Sequence, residues 1–198
     1  GGRQGFEILV APVGSTSFTL TEDDIYSGGF LYNAASTSSQ TIELGSVFAS
    51  QLCLSLIDYD NTYTGINLAG ARLTVTIKAS DGTTNYTVPF GQFTVDEVKR
   101  SANRIDLIAL DDFIKFDKAY TDTDYPFTEP TSLYDVIEWI CSECDVTFGT
   151  GETGLTNADY MVKTAPKGTN LTYRQLLSWA AQLTGSCAKF NASTNELE

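Results

Sequence analysis

The chain has 198 residues, of which 42% are hydrophobic and 19% are charged, and its net charge at pH 7 is −13. This balance is typical of a globular protein, and the acidity argues against a surface that binds nucleic acid or anionic membranes. The chain contains no histidine, which excludes Ser-His-Asp and Cys-His catalysis, histidine-ligated zinc and histidine as a general base.

The first half of the chain has the two-residue hydrophobic period of β-strands. Strands are predicted at residues 6–10, 41–44, 52–57, 73–78, 86–88, 90–95 and 105–110. Asp81-Gly82 is a strong hairpin signal, and residues 101–104 form a second predicted turn. Several strands separated by turn signals indicate a β-barrel or a β-sandwich.

The amino-acid composition of the sequence changes after Asp111. Residues 111–130 are acidic and aromatic, with Pro126 and Pro130 as chain breakers. The domain boundary is therefore placed here, with a β-domain over residues 1–112 and an α+β domain over residues 113–198.

Two helices are predicted in this second region. The first begins at Ser132, with Asp135 three residues later, and the second begins at the Thr172–Gln175 capping box and ends at Gly185. The predicted buried stripes are Leu133, Val136, Ile137, Ile140 and Cys144 on the first helix and Leu176, Leu177, Ala180 and Leu183 on the second. Residues 186–191 then read as a strand and 192–195 as a hairpin turn.

No apolar run reaches the ~20 residues of a membrane span, and no signal peptide is recognised. The chain lacks an initial methionine, and its last residues read as the entry into a further strand. A fragment of a longer protein is therefore expected.

Three features could carry chemistry. The cysteines Cys53, Cys141, Cys144 and Cys187 include one CxxC pair inside a helix pattern, which favours reduced buried thiols over zinc or a disulfide. Residues 58–61 open like a calcium loop but lack its glycine and final glutamate, which favours a surface turn. Asp122 and Asp124 form a carboxylate pair that a glycosidase could use, although such pairs also arise by chance in an acidic chain.

Aromatic residues are also concentrated in the sequence. The predicted roles are domain packing, a sugar platform or an interface. The set comprises Tyr59, Tyr63, Phe113, Phe116, Tyr120, Tyr125 and Phe127. Trp139 lies off its helix stripe and Trp179 borders its own stripe, so each is expected to pack on a neighbouring domain or on another subunit.

The order of the segments resembles the tail-tip hub proteins of phages and prophages, which are related in fold to contractile-phage baseplate hubs and type VI secretion spike proteins. The likeness covers most of the chain. It is carried by residues 21–25, 42–47, 51–57, 70–71, 88–95, 104–111, 115–118, 172–177 and 185–188.

The resemblance implies a mainly β, α+β architecture, with a tail-tube-like β-barrel followed by a smaller, truncated α+β domain. It implies a homotrimeric ring that closes the tail tube, contacts the tube or distal tail and tape-measure proteins, and lets DNA pass without specific binding. No membrane contact is implied.

The expected function is therefore structural, in a virion tail assembled in the bacterial cytoplasm without a secretory signal. No enzyme activity, catalytic residue, cofactor or metal is expected. The alternative function is a carbohydrate-binding module at a phage tip or cell surface, motivated by the aromatic residues between 113 and 127.

Overall fold

The computed structural model describes residues 3–34, 44–47, 49–80 and 83–198. The chain divides into two compact units. The first unit comprises Gly1–Ala34 and Ala49–Asp111, and the second comprises Ala35–Phe48 and Asp112–Glu198. The segment Ala35–Phe48 thus belongs to the second unit, although it lies between two strands of the first unit along the chain. The assignment of residues 1–112 and 113–198 to a barrel and an incomplete domain stays a prediction.

The first unit is a seven-stranded antiparallel sheet. Its strands are β1 (Arg3–Ala11), β2 (Phe18–Thr21), β3 (Ile25–Asn33), β4 (Gln51–Ile57), β5 (Arg72–Ser80), β6 (Asn85–Ser101) and β7 (Arg104–Leu110). They are ordered β2-β1-β5-β6-β7-β4-β3 across the sheet. The predicted mainly β character of an α+β chain is confirmed.

One face of this sheet forms the core of the first unit. Alternate residues of the strands are buried, for example Leu52, Leu54 and Leu56 on β4, because successive side chains of a strand point to opposite faces. The buried residues of all seven strands join one hydrophobic cluster. A single sheet can enclose one core in this way only by curling around it.

Closure of the sheet into a barrel is not seen in its hydrogen bonding. β2 and β3 are the edge strands, and no ladder joins them within the described residues. The predicted barrel is therefore not confirmed; the structure shows one curled sheet with one buried face.

The strand predictions were incomplete in three places. β2 and β3 were missed. The segments predicted at 86–88 and 90–95 belong to the single strand β6, whose register with β5 shifts next to Gly91. The hairpin joining β5 and β6 is confirmed by the Ser80–Asn85 pair, whereas Asp81, Gly82 and most of the strand predicted at 41–44 lie outside the described residues.

The second unit is built on two helices, α1 (Leu133–Glu143) and α2 (Tyr173–Thr184). A 3-10 helix at Asp112–Asp117 and a two-stranded sheet of β8 (Thr131–Ser132) and β9 (Met161–Val162) accompany them. Neither helix has the length and apolar character needed to cross a membrane, and the described residues include no helix that does.

The predicted helix starts and the predicted α2 end are confirmed. The Asp135 amide donates to the Ser132 hydroxyl over 3.0 Å, and the Thr172 amide donates to Gln175 Oε1 over 3.0 Å. Gly185 ends α2 with a φ of +67°, a left-handed conformation that glycine adopts without steric cost.

The buried stripe of α1 is also confirmed, but that of α2 was wrong at Leu183. This residue is 44% exposed, whereas Ala181 and Thr184 are buried in its place. In its last turn, α2 turns the side of Ala181 and Thr184 toward the core, and Leu183 therefore faces outward. The Thr184 hydroxyl can be buried because it donates a hydrogen bond to the Ala181 carbonyl.

The strand predicted at residues 186–191 is not formed; the described C-terminal residues are paired by isolated bridges only. Leu197 bridges Phe190 in an antiparallel sense and Phe148 in a parallel sense. The Lys189 and Glu198 backbones exchange two hydrogen bonds, and Leu197 is buried. Residues 192–195 turn the chain between the two halves of this hairpin.

Candidate functional surfaces

The calcium-like loop is a structural turn. One carboxylate oxygen of Asp58 accepts a hydrogen bond from the Tyr63 amide over 3.2 Å, and the Asn61 amide donates to the Asp58 carbonyl. Asp58 is buried, and its carboxylate stabilises the turn from within. Within the described ranges, no group of three His, Cys, Asp or Glu side chains could hold a metal ion.

The carboxylate pair at residues 122 and 124 also has a local structural role. Asp124 Oδ2 accepts hydrogen bonds from the Thr121 amide over 2.8 Å and from the Thr121 hydroxyl over 3.0 Å. These bonds cap the 3-10 helix Asp122–Asp124. The Asp124 carboxylate is therefore engaged in hydrogen bonds with a neighbouring residue of its own turn.

All four cysteines are free thiols. The predicted burial is confirmed for Cys141 and Cys144 and wrong for Cys187, which is exposed. Cys141 and Cys144 lie on and just after the last turn of α1 and are buried. Burial raises the pKa of the Cys141 thiol to about 12 and that of Cys144 to about 11. Since the thiolate is the nucleophile, both residues are chemically protected.

We therefore expect site-selective alkylation. At pH 8, Cys187, which is exposed, should react with iodoacetamide well before Cys141 and Cys144. The two buried thiols should react only slowly, because their pKa lies above the pH and their sulfurs are shielded. Peptide mass spectrometry at successive times would measure this, and equal labelling of Cys141 and Cys187 in the native protein would contradict it.

Most of the aromatic residues near the predicted boundary are packed together inside the second unit. Trp139 of α1 lies 5.5 Å from the Tyr125 ring and 5.6 Å from the Tyr173 ring, centroid to centroid. Tyr120 and Phe127 complete this cluster with edge-on contacts. A sugar platform presents an open ring face, whereas these rings cover one another. Trp139 thus packs within its own unit, and Trp179 is exposed.

A second aromatic cluster joins distant strands of the first unit. We call it the aromatic seam, and it consists of Phe6 on β1, Phe30 and Tyr32 on β3, and Phe90 and Phe93 on β6. The Phe6 and Phe30 ring centroids are 4.7 Å apart, although β1 and β3 are separated by four strands in the sheet order. The curled sheet is therefore held near its open side by side chains.

The far end of the β5–β6 hairpin carries exposed apolar residues on the face that is continuous with the core. The register pairs Phe6 and Val88 with Ile77, and Ile77 follows buried Val75 by two residues. All four side chains therefore share one face of the sheet. Val88 is nonetheless 54% exposed, and Tyr86 is exposed beside it. An exposed apolar strip of this kind is typical of a protein interface.

Arg174 donates four hydrogen bonds within the second unit. Its guanidinium binds the Asp117 carboxylate through Nε and Nη2 over 2.6 and 3.0 Å. It also donates to the Val47 carbonyl over 3.0 Å and to the Phe113 carbonyl over 2.7 Å. One side chain thus connects α2, the 3-10 helix and the segment at residue 47. A cation in the first turn of a helix opposes the helix dipole, and that unusual placement was the available sequence signal for this role.

Two lysines stabilise the end of α1. Lys118 Nζ donates to the Glu143 carbonyl over 2.8 Å, and Lys115 Nζ donates to the Asp145 carbonyl over 3.1 Å. A hydrogen bond and ion pair with the Glu143 carboxylate raise the pKa of Lys118. Cations favour this position because helix C-terminal carbonyls carry partial negative charge.

Comparison by sequence finds no match, since neither a protein-family profile nor a curated protein is similar enough to this chain. Solved structures do match. The 43 kDa tail protein of prophage MuSo2 from Shewanella oneidensis has a TM-score of 0.54 and 14% identity, and the match covers 97% of this chain and 54% of the tail protein. A chain of the Francisella PdpA–VgrG complex has a TM-score of 0.56 and 11% identity, covering 98% and 31%.

Both matches extend over nearly the whole chain, and they therefore include both compact units. The chain spans about half the length of the tail protein and about a third of the length of the complex chain. The predicted likeness to phage tail proteins is confirmed at the level of fold. The chain therefore shares its fold with a prophage tail protein and with a component of the PdpA–VgrG complex.

Proposed function

We propose that this chain is a structural component of a phage or prophage tail tip, a baseplate hub that closes the tail tube and lets DNA pass. The observation that carries the proposal is the fold match over 97% of the chain to a prophage tail protein. The side chains described above support a role in assembly, since the Asp58 and Asp124 carboxylates are engaged in a turn and a cap, and the Cys141 and Cys144 thiols are buried. The proposed role depends on interfaces and requires no catalytic residue.

The first unit would act as the tube-like barrel. The aromatic seam supports this proposal, because it brings β1 and β3 into side-chain contact across the open side of the sheet. In the proposed ring, three copies of the chain surround a lumen. The net charge of −13 favours passage without binding, because a wall of like charge repels the DNA phosphates.

The proposed contact between copies includes the exposed apolar strip at Val88 and Tyr86. Its face continues the face of the hydrophobic core of the first unit, so a second copy could cover it with the same kind of packing. The remaining partners would be other tail proteins, such as the tube, the distal tail protein and the tape measure. The proposed location is the virion tail.

We expect the chain to form trimers in light-scattering experiments over a rising concentration series. Val88→Glu should lower the trimer fraction at least tenfold, because a charge buried in an apolar contact costs more than about 1.4 kcal/mol. Val13→Glu is the matched control, since Val13 is also exposed, at 64%, but lies in the turn after β1.

The two variants distinguish the possible outcomes. A trimer that Val88→Glu dissociates and Val13→Glu preserves would support both the ring and the contact surface. A trimer that neither variant affects would refute the surface but keep the ring. A monomer at every concentration would contradict the proposed ring of this chain.

A further inference from the structure

The segment at residues 44–47 lies along α2 and is held there by its main chain. The Gly45 amide donates to the Ser186 carbonyl over 3.0 Å, and the Gly45 carbonyl accepts from the Ser178 hydroxyl over 2.6 Å. The Val47 carbonyl accepts from Arg174 over 3.0 Å, and the Val47 side chain is buried. These three hydrogen bonds all involve backbone atoms of the segment, so they would suit any peptide of the right shape.

The shape requirement is strict at Gly45. A Cβ added there would lie 2.7 Å from the Ser178 carbonyl oxygen and 2.3 Å from Gln182 Cγ. The φ of Gly45 is +81°, which also disfavours any side chain. Helix α2 therefore presents a surface for a Gly-x-aliphatic peptide, with the glycine against the helix backbone and the aliphatic side chain buried.

We infer that α2 carries a peptide-binding surface occupied by residues 44–47 of the same chain, and that the second unit is complete only with this segment in place. The segment belongs to the connection between β3 and β4, both strands of the first unit. The second unit therefore depends on a stretch of sequence that lies more than sixty residues before the rest of it. This inference does not rest on the proposed tail function.

The full chain provides an internal reporter for the test. Its two tryptophans, Trp139 and Trp179, both lie in the second unit. Tryptophan fluorescence during urea unfolding therefore follows the second unit. Far-UV circular dichroism follows both units, since the first contains the seven-stranded sheet and the second contains the two helices.

The first variant is Gly45→Ala, with Gly185→Ala as its matched control. Gly185 also belongs to the second unit and has a φ of +67°, in the same left-handed region as Gly45, but an added Cβ there meets no atom within 4 Å. Both variants strain the backbone, and only Gly45→Ala also collides with α2. We expect Gly45→Ala to lower the folded-to-unfolded ratio of the tryptophan transition by roughly tenfold or more relative to Gly185→Ala.

A second pair of variants, with smaller expected effects, provides a test if Gly45→Ala does not fold. Ser178→Ala removes the hydrogen bond to the Gly45 carbonyl, and Ser142→Ala replaces an exposed serine on α1. Both changes alter helix propensity equally, so the difference between them isolates the contact with the segment. We expect Ser178→Ala to lower the tryptophan folded-to-unfolded ratio by about fivefold relative to Ser142→Ala.

The inference would be overturned if Gly45→Ala and Gly185→Ala had the same effect on the tryptophan transition and Ser178→Ala matched Ser142→Ala. It would also be overturned if Gly45→Ala altered only the circular dichroism transition. Both results would show that the second unit is stable without the segment.

Discussion

Replacing Arg174 with methionine is expected to lower the free energy of unfolding of the second unit by about 3 kcal/mol. The change removes four hydrogen bonds and leaves the Asp117 carboxylate without its bidentate partner. The Arg174 side chain is only 20% exposed, so water replaces these bonds poorly. Urea unfolding followed by tryptophan fluorescence would measure the loss.

Two further substitutions identify its cause. Arg174→Lys keeps the charge but loses the planar fork, so we expect it to recover less than half of the loss. Arg104→Met removes a more exposed arginine that pairs with Asp106 and should cost the first unit less than about 1 kcal/mol by circular dichroism. If Arg174→Lys were as stable as the unaltered chain, charge alone would explain the effect, and the hydrogen-bonded connection would be refuted.

Replacing Phe30 with alanine is expected to destabilise the first unit by about 2–4 kcal/mol and to loosen β3. Phe30 packs against the core cluster and contacts the Phe6 and Phe90 rings. β3 is an edge strand that pairs only with β4 among the described strands. Loss of the ring therefore removes much of what holds β3 toward β1. Circular dichroism and hydrogen exchange of the β3 amides would measure both effects.

Leu31→Ala is the matched control for this experiment. Leu31 is the next residue of the same strand, points to the other face and is exposed, so we expect a change within about 0.5 kcal/mol. A double-mutant cycle of Phe6→Ala and Phe30→Ala should give a coupling energy of about 1 kcal/mol. A coupling near zero would show that the aromatic seam does not hold the sheet near its open side.

Many local features could be predicted from the sequence. The alternation in residues 52–57 predicted β4, and the capping residues Ser132 and Thr172 predicted the helix starts, because these signals act between residues close in the chain. β2 and β3 were not predicted because their local sequence signal is weak. β2 has four residues, and the pairing of β3 with β4 breaks between Ile25 and Phe30, which hides the two-residue period.

The surfaces that matter for the proposed function were less accessible. The exposure of Val88 could not be predicted, because a valine at that position of an alternating strand reads as a core residue. The pairing of Val88 with Ile77 places the Val88 side chain on the core face of the sheet, but the hydrophobic cluster does not extend along the strand as far as Val88. Leu183 shows the same limit on α2, since hydrophobic periodicity reports a face but not how far the packing extends along it.

Composition and local patterning are enough to identify this protein as an acidic, mainly β chain without histidine chemistry, with a strand-rich first half and two capped helices in the second. The folded chain was needed to reveal the strand order, the contact between Phe6 and Phe30, the partners of Arg174 and the placement of residues 44–47 on α2. Each of these depends on residues more than twenty positions apart, whose meeting is set by the packing of the whole chain.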